Sequence, residues 1–267
     1  MITLRKAHQF LNLIKEFADP CEGNLYHYTS AEGLRGIVEN NEIWMTNVNF
    51  VNDTTECRAL EKENGLFSDS DFTITEVKDE WFQFLTASGH INSTYIVSFS
   101  SGEQSLSQWR AYGNYRIGFD AKGLVKHPFN LYRCVYSREE IRDWILEKDK
   151  LIQWKALANA DYRRSAAYNL IYAASRKYKD EHFKDEKEFR LLVVSDHKWG
   201  HPNSPSMYEN QPPIHFRDHP KYDKPFPYVK FTIEKVGEPE TGQKKERKEN
   251  WLKKEKGQEI FCQSKIF

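Results

Sequence analysis

The chain has 267 residues, with 39 Lys plus Arg balanced by 39 Asp plus Glu, so no overall basicity marks it for nucleic acid or an anionic membrane surface. Seven Trp, 14 Tyr and 17 Phe within 39% hydrophobic residues exclude a disordered chain and predict a single globular domain over residues 1–267. No run reaches the roughly 18 apolar residues of a membrane span, and "MITLRKAHQF" lacks the apolar stretch of a secretory signal, which points to a cytoplasmic protein with no membrane partner.

Along the chain, Leu4, Phe10, Leu11, Ile14 and Phe17 recur at helical spacing until Asp19-Pro20 stops the helix. A strand is predicted over 25–29. Ser30 then caps a helix that carries Glu32 in its first turn and Leu34, Ile37 and Val38 on its apolar face. "EIWMT" alternates as a strand does, and the series Ile74, Val77, Trp81, Phe84, Leu85 predicts a helix over 71–88. "TYIVSFS" and "YRIGFD" read as strands.

Residues from about 137 to 180 are nearly free of helix breakers, so they read as a helical insertion before the strand "EFRLLVV". Seven of the ten prolines fall between His201 and Pro227, which predicts an irregular surface loop. "YVKFTI" and "EIFCQSKIF" suggest late strands around a charged helix at 244–256. Strands and helices follow one another without regular alternation, the pattern of an α+β fold. Neither a GxGxxG nor a Walker A sequence occurs, and Cys21, Cys57, Cys134 and Cys262 form no CxxC pair, so they read as free thiols.

Several stretches could carry chemistry. In a strand "LYHYTS" puts His27 and Thr29 on one face and Tyr26 and Tyr28 on the other; the pair suits a ribose or amide edge, or His27 is a hydrogen-bonded structural residue. Asp53 with Glu56 fits a capping box, and Asn52, Asp53 or Glu56 would take a functional role by facing the cleft of His27. "SFSSGEQSLSQWRAYG" sets Ser98 and Ser100 on one strand face. Gln108, Trp109, Arg110 and Tyr112 follow as donors, stacking plane and charge, or as core and surface residues. In "KDEKEFRLLVV", a strand beginning near Asp185 would line Glu186, Glu188 and Arg190 along one face, where repulsion separates the two carboxyl pKa values; a charged surface edge is the alternative. Two H-x3-H pairs, His197 with His201 and His215 with His219, lie among prolines and lack the helix on which such ligands converge.

The ordered set "LYHYTS", "EIWMTNVNFVNDTTE", "SFSSGEQSLSQWRAYG", "GFD" and "KDEKEFRLL" resembles, from about Asn24 to Leu192, a bacterial family known as domain of unknown function 2971. The same segments are similar, more weakly, to the three motifs of ADP-ribosyltransferases: a strand histidine, a serine-bearing strand and an E-x-E. That resemblance implies an α+β, ADP-ribosyltransferase-like split antiparallel β-sheet core with flanking helices, and NAD as the nucleotide bound. It implies Glu188 as catalytic with Glu186 assisting. His27 and Thr29 would hold a ribose and Ser98 and Ser100 would support the cleft, with Trp109, Tyr28 or Tyr95 as the stacking ring. Subtypes of the family differ in their first and second motifs, and this chain combines a histidine first motif with a serine second one.

The expectation is an enzyme that transfers ADP-ribose from NAD to a protein or nucleic-acid acceptor, by family analogy a toxin or phage-defence effector. A metal-dependent nuclease using "EVK" at 76–78 and "DEK" at 185–187, or a non-catalytic nucleotide-binding sensor, are the alternatives.

Overall fold

The computed structural model describes residues 17–19, 21–51, 56–63, 66, 93–102, 106–113, 115–126, 128–152, 160–195, 211–219, 222–233 and 260–261. The predicted helix over 71–88, the charged segment 244–256, Cys262, and Asn52 and Asp53 lie outside them.

Among the described residues a curled, nine-stranded sheet organises the fold, antiparallel except where β9 (Ile260–Phe261) joins β4 (Tyr115–Asp120) in parallel. Its path runs β7 (Ile214–His219), β8 (Tyr222–Thr232), β2 (Glu42–Asn47), β3 (Thr94–Ser100), β1 (Asn24–Thr29), β4 and β9, and β6 (Glu188–Val194) pairs both β3 and β5 (Asn130–Arg133). The fold is α+β, as the order of elements predicts.

One detail of register shapes the molecule. β6 pairs β3 from Thr94 to Ser100, occupying one edge of that strand throughout. β2 and β1 must therefore share the other edge: β2 takes Tyr95 and Ile96, and β1 takes Ser100. Between those contacts the sheet forks, and the β3 backbone near Ser98 is left without a strand neighbour on that side. A backbone carbonyl in such a gap needs another partner.

Local sequence explains the elements around the fork. Ser30 accepts a hydrogen bond from Gly33 N at 3.1 Å to cap α1 (Ala31–Asn40), and Asn41, left-handed at φ 54°, ends it. Helix α2 (Leu106–Tyr112) follows β3, and α3 (Ala121–Leu124) follows β4. The region read as a helical insertion contains α4 (Arg138–Leu151), capped by Ser137, and α5 (Ala160–Lys177). Alternation along β3 sorts the core into two layers: Ile96 packs with Val48, Leu60, Ile141, Leu170 and Ile171, whereas Tyr95, Val97 and Phe99 pack with Leu25, Leu34, Ile37, Met45 and Phe231.

Two expectations are corrected. The proline-rich stretch holds the β7–β8 hairpin as well as loop, because Pro225 and Pro227 fall beyond the β2-paired residues Tyr228–Thr232 and cost that ladder no donor. Strand β6 starts at Glu188, not near Asp185: residues Glu181–Glu186 form a 3-10 turn that Lys187, at φ 45°, reverses into the strand. Strand β5 is too short and mixed to show a period of two, and it escapes sequence reading. None of the described helices is long and apolar enough to cross a membrane.

Candidate functional site

His27 fills the fork. Its Nδ1 lies 2.9 Å from the Ser98 carbonyl oxygen, which only accepts, so Nδ1 carries the hydrogen. Burial pulls the imidazole pKa below its ordinary value, against the opposing pull of that carbonyl, and the neutral ring keeps Nε2 as an acceptor. The ring also meets Phe99 edge-on at 5.9 Å between centroids, which fixes its plane.

A cavity of about 670 Å³ passes through the fork. His27, Tyr28 and Thr29 line it from β1, Gly33, Gly36 and Ile37 from α1, Trp44 and Thr46 from β2, and Ile96, Val97 and Ser98 from β3. Glu32, Glu42, Glu56, Gln108, Tyr112, Arg217 and Phe226 are also among the lining residues. Glycine is needed at two positions near Thr29. A Cβ on Gly33 would sit 2.1 Å from Thr29 Oγ1, and one on Gly113, at φ +125°, would sit 2.5 Å from the Thr29 carbonyl oxygen.

Behind the wall lies a charged cluster. Ser98 Oγ donates to Glu188 Oε1 at 2.6 Å, Lys179 Nζ donates to Glu188 Oε2 at 2.5 Å and to Glu186 Oε2 at 2.7 Å, and Arg190 Nε donates to Glu188 Oε1 at 3.1 Å. Arg190 also ion-pairs Glu56, and the Lys179 ammonium is 3.8 Å from Glu56 Oε2. Lys179 reaches inward because the chain leaving α5 bridges Val135, with Lys179 N donating to the Val135 carbonyl at 3.0 Å. Three carboxylates face two cations here, and the pKa values respond accordingly. Burial alone would raise Glu188, but Arg190, Lys179 and the hydrogen bonds from Lys179 and Ser98 outweigh it and hold the carboxyl well below the ordinary range. Glu186 goes the other way: burial raises it, Lys179 only partly opposes, and the nearby Glu188 charge adds to the rise. Burial would lower Lys179, yet Glu188 and Glu56 keep it above the ordinary lysine value.

The sequence candidates therefore divide. His27, Tyr28, Thr29 and Ser98 share the cavity wall. Glu188 and Arg190 are 1% and 0% exposed and stand behind Ser98, with Glu186 beside them. His27 and Glu188 leave the sheet on opposite faces, since His27 meets Phe99 whereas Glu188 meets the side chain of the adjacent Ser98; the Ser98 residue joins them. Ser100 is structural, donating to the Glu186 carbonyl at 2.7 Å. Trp109 packs edge-on against Tyr28 at 5.0 Å and Arg110 is exposed, and neither lines the cavity. Glu56 ion-pairs Arg190 and lines the same cavity as His27, while Asp53, its partner in the capping-box reading, lies outside the described residues.

Sequence reasoning missed Lys179 and Arg217, whereas Gln108 and Tyr112, named there as possible donors, line the cavity. The run "SRKYKD" at the end of a helix is the one local sign of Lys179, and nothing local marks its carboxylate partners. Among the described residues no group of three or more His, Cys, Asp or Glu side chains gathers as a metal-binding set, and Cys21, Cys57 and Cys134 are free thiols. No family model, curated protein or solved structure matches the chain, so the resemblances drawn above rest on their motifs.

Proposed function

We propose that the chain is an ADP-ribosyltransferase-like enzyme that binds NAD in the forked-sheet cleft and transfers ADP-ribose to a protein or nucleic-acid acceptor. The observation that carries the reading is the coupling of His27 to Glu188 through Ser98: a neutral imidazole with an acceptor nitrogen in the cavity wall, one residue away from an ionised carboxylate. The cavity volume of about 670 Å³ suits a nucleotide-sized ligand. His27 Nε2 would accept from a ribose hydroxyl, with Thr29 beside it, and Tyr28 and Tyr112 would flank the ligand. Bound NAD would supply the nicotinamide–ribose bond, whose cleavage builds positive charge on the sugar. Ser98 points its hydrogen at Glu188 and so turns its oxygen lone pairs outward, a preorganised dipole suited to such charge, and Glu56 adds a carboxylate in the wall itself.

The test is to incubate the purified full chain with labelled NAD and cell extract, following nicotinamide release and label transfer for wild type, His27→Ala and Glu188→Gln. Transfer by wild type that falls at least about 100-fold in both variants is expected, in the range of losses for groups that stabilise developing charge. Equal behaviour of all three, or no nicotinamide release by wild type, sinks the transferase.

A second reading, a non-catalytic nucleotide-binding sensor, is favoured by one observation: Glu188 is already neutralised by Lys179 and Arg190. Thermal stabilisation by NAD without turnover is its signature.

A further inference from the structure

The ladder registers of β2, β8 and β7 place Trp44, Thr46, Phe226, Tyr228, His215 and Arg217 on one face of this end of the sheet. Trp44, 39% exposed, stacks on Tyr228 with centroids 4.4 Å apart, and His215 tilts against the same tyrosine at 5.4 Å. Arg217 Cζ lies 4.4 Å from the Phe226 ring centroid and 5.4 Å from that of Trp44. Arg217, Trp44 and Phe226 line the same cavity as His27, at the β7–β8 end away from β1.

Two of the carboxylates that line the cavity have cationic partners. Glu42 pairs with Lys230 at 3.0 Å, and Glu56 pairs with Arg190. Arg217 has no carboxylate or hydrogen-bond partner among the described residues, and its Nε is buried. Burial pulls its pKa below the ordinary arginine value and outweighs the opposing effect of Tyr228. A guanidinium held over a ring keeps in-plane N–H groups, and the two terminal nitrogens of Arg217, unlike its buried Nε, can grip an oxyanion through two hydrogen bonds. An exposed indole beside it offers a stacking surface for a planar base.

We infer that Arg217 and Trp44 form a nucleotide subsite at the β7–β8 end of the cleft, with Arg217 binding a phosphate group and Trp44 supporting a planar ring. The subsite deepens the NAD reading by naming what holds the nucleotide's phosphate, yet it requires no bond cleavage and stands or falls on binding alone.

Titration calorimetry of the full chain with ADP, adenosine and the single-stranded pentanucleotide dT5 tests it. Arg217→Gln is expected to weaken ADP at least about tenfold and adenosine less than about twofold, because only ADP loses a charge-assisted contact. Trp44→Leu is expected to weaken both ligands. Arg217→Lys keeps the charge and much of the stem above Phe226 but lacks the fork, so it serves if the Gln variant does not fold and is expected to fall between wild type and Gln. Thermal unfolding of each variant verifies folding. Failure of wild type to bind ADP at millimolar concentration, or equal ADP affinity in wild type and both Arg217 variants, overturns the subsite. Dependence on Arg217 for dT5 but not for ADP overturns the small-nucleotide ligand and assigns the phosphate to a strand. Nicotinamide release is read separately: ADP binding through Arg217 without NAD turnover supports the subsite while the transferase fails.

Discussion

Ser98 donates its hydroxyl hydrogen to Glu188 at 2.6 Å, tying the cleft wall to a carboxylate that solvent does not reach. The same carboxylate receives Lys179 and Arg190, so the cluster should be costly to break from any member. Glu188→Gln leaves two buried cations short of an anion and is expected to cost about 3–5 kcal/mol, whereas Ser98→Ala removes one charge-assisted hydrogen bond and should cost about 1.5–3 kcal/mol. Urea unfolding of both variants measures the difference; a Glu188→Gln protein as stable as wild type would refute the cluster's role. Its stability also decides how the Glu188→Gln transfer assay is interpreted.

Acid should loosen the same cluster. The Glu188 carboxyl has a lower pKa folded than unfolded, so its contribution is present above the unfolded value near 4.5 and is lost as pH falls through the depressed folded value. Glu186, raised in the folded state, contributes in the opposite sense: its share is present below about 4.5 and lost as pH rises through its folded value. Unfolding free energy followed from pH 6 down to pH 2 is expected to fall, with the Glu188 contribution prevailing because it makes the greater number of ionic contacts.

His27 gives a separate window. Its folded pKa lies below 6.5, so the unfolded state binds the proton first and stability declines as pH drops below 6.5 toward the folded value. Side-chain NMR should show the His27 ring neutral, with the hydrogen on Nδ1, at pH 7. His27→Ala leaves the Ser98 carbonyl without its ring partner and is expected to cost about 1–3 kcal/mol while removing part of the pH dependence between 7 and 5.

Gly36 allows the cavity to be blocked without touching its chemistry. A Cβ there meets nothing within 4 Å, and Gly36 lies inside α1 on the cavity wall. Gly36→Ala should therefore stabilise the protein by roughly 0.5–1 kcal/mol through lower chain entropy in the unfolded state. Gly36→Leu should fold equally well and weaken ADP or NAD at least about tenfold. Undiminished binding in a folded Gly36→Leu protein would place the ligand elsewhere.

Gly113 and Gly33 should differ although both abut Thr29. At Gly113 the obstacle is a backbone carbonyl locked in the β1–β4 ladder and φ is +125°, so Gly113→Ala is expected to cost about 3 kcal/mol or more. At Gly33 the obstacle is the Thr29 hydroxyl, which can rotate away, so Gly33→Ala should cost less. Paired melting curves decide the order.

Much of the framework is legible in local sequence. Ser30 capping α1, the alternation in "EIWMT", the buried run "TYIVSFS" and the apolar "EFRLLVV" each express a rule that acts within about ten residues. The candidate wall residues His27, Thr29 and Ser98 follow from the same reading, because a period of two sets which side chains share a strand face.

The fork is another matter. It arises because β2 and β1 compete for one edge of β3 while β6 holds the other, a fact of pairing between residues 48 to 100 positions apart that no single segment encodes. Tertiary structure likewise decided that Glu188 is sealed against Lys179 and Arg190 behind Ser98, and that Arg217 arrives at the cavity on a hairpin whose prolines suggest a loop. Sequence by itself determined which residues could form strands, helices and turns, since those preferences are properties of the local backbone and of side-chain period. Which charges met, and which was left unmatched, depended on long-range strand register and burial, because electrostatic environment is set by neighbours in space.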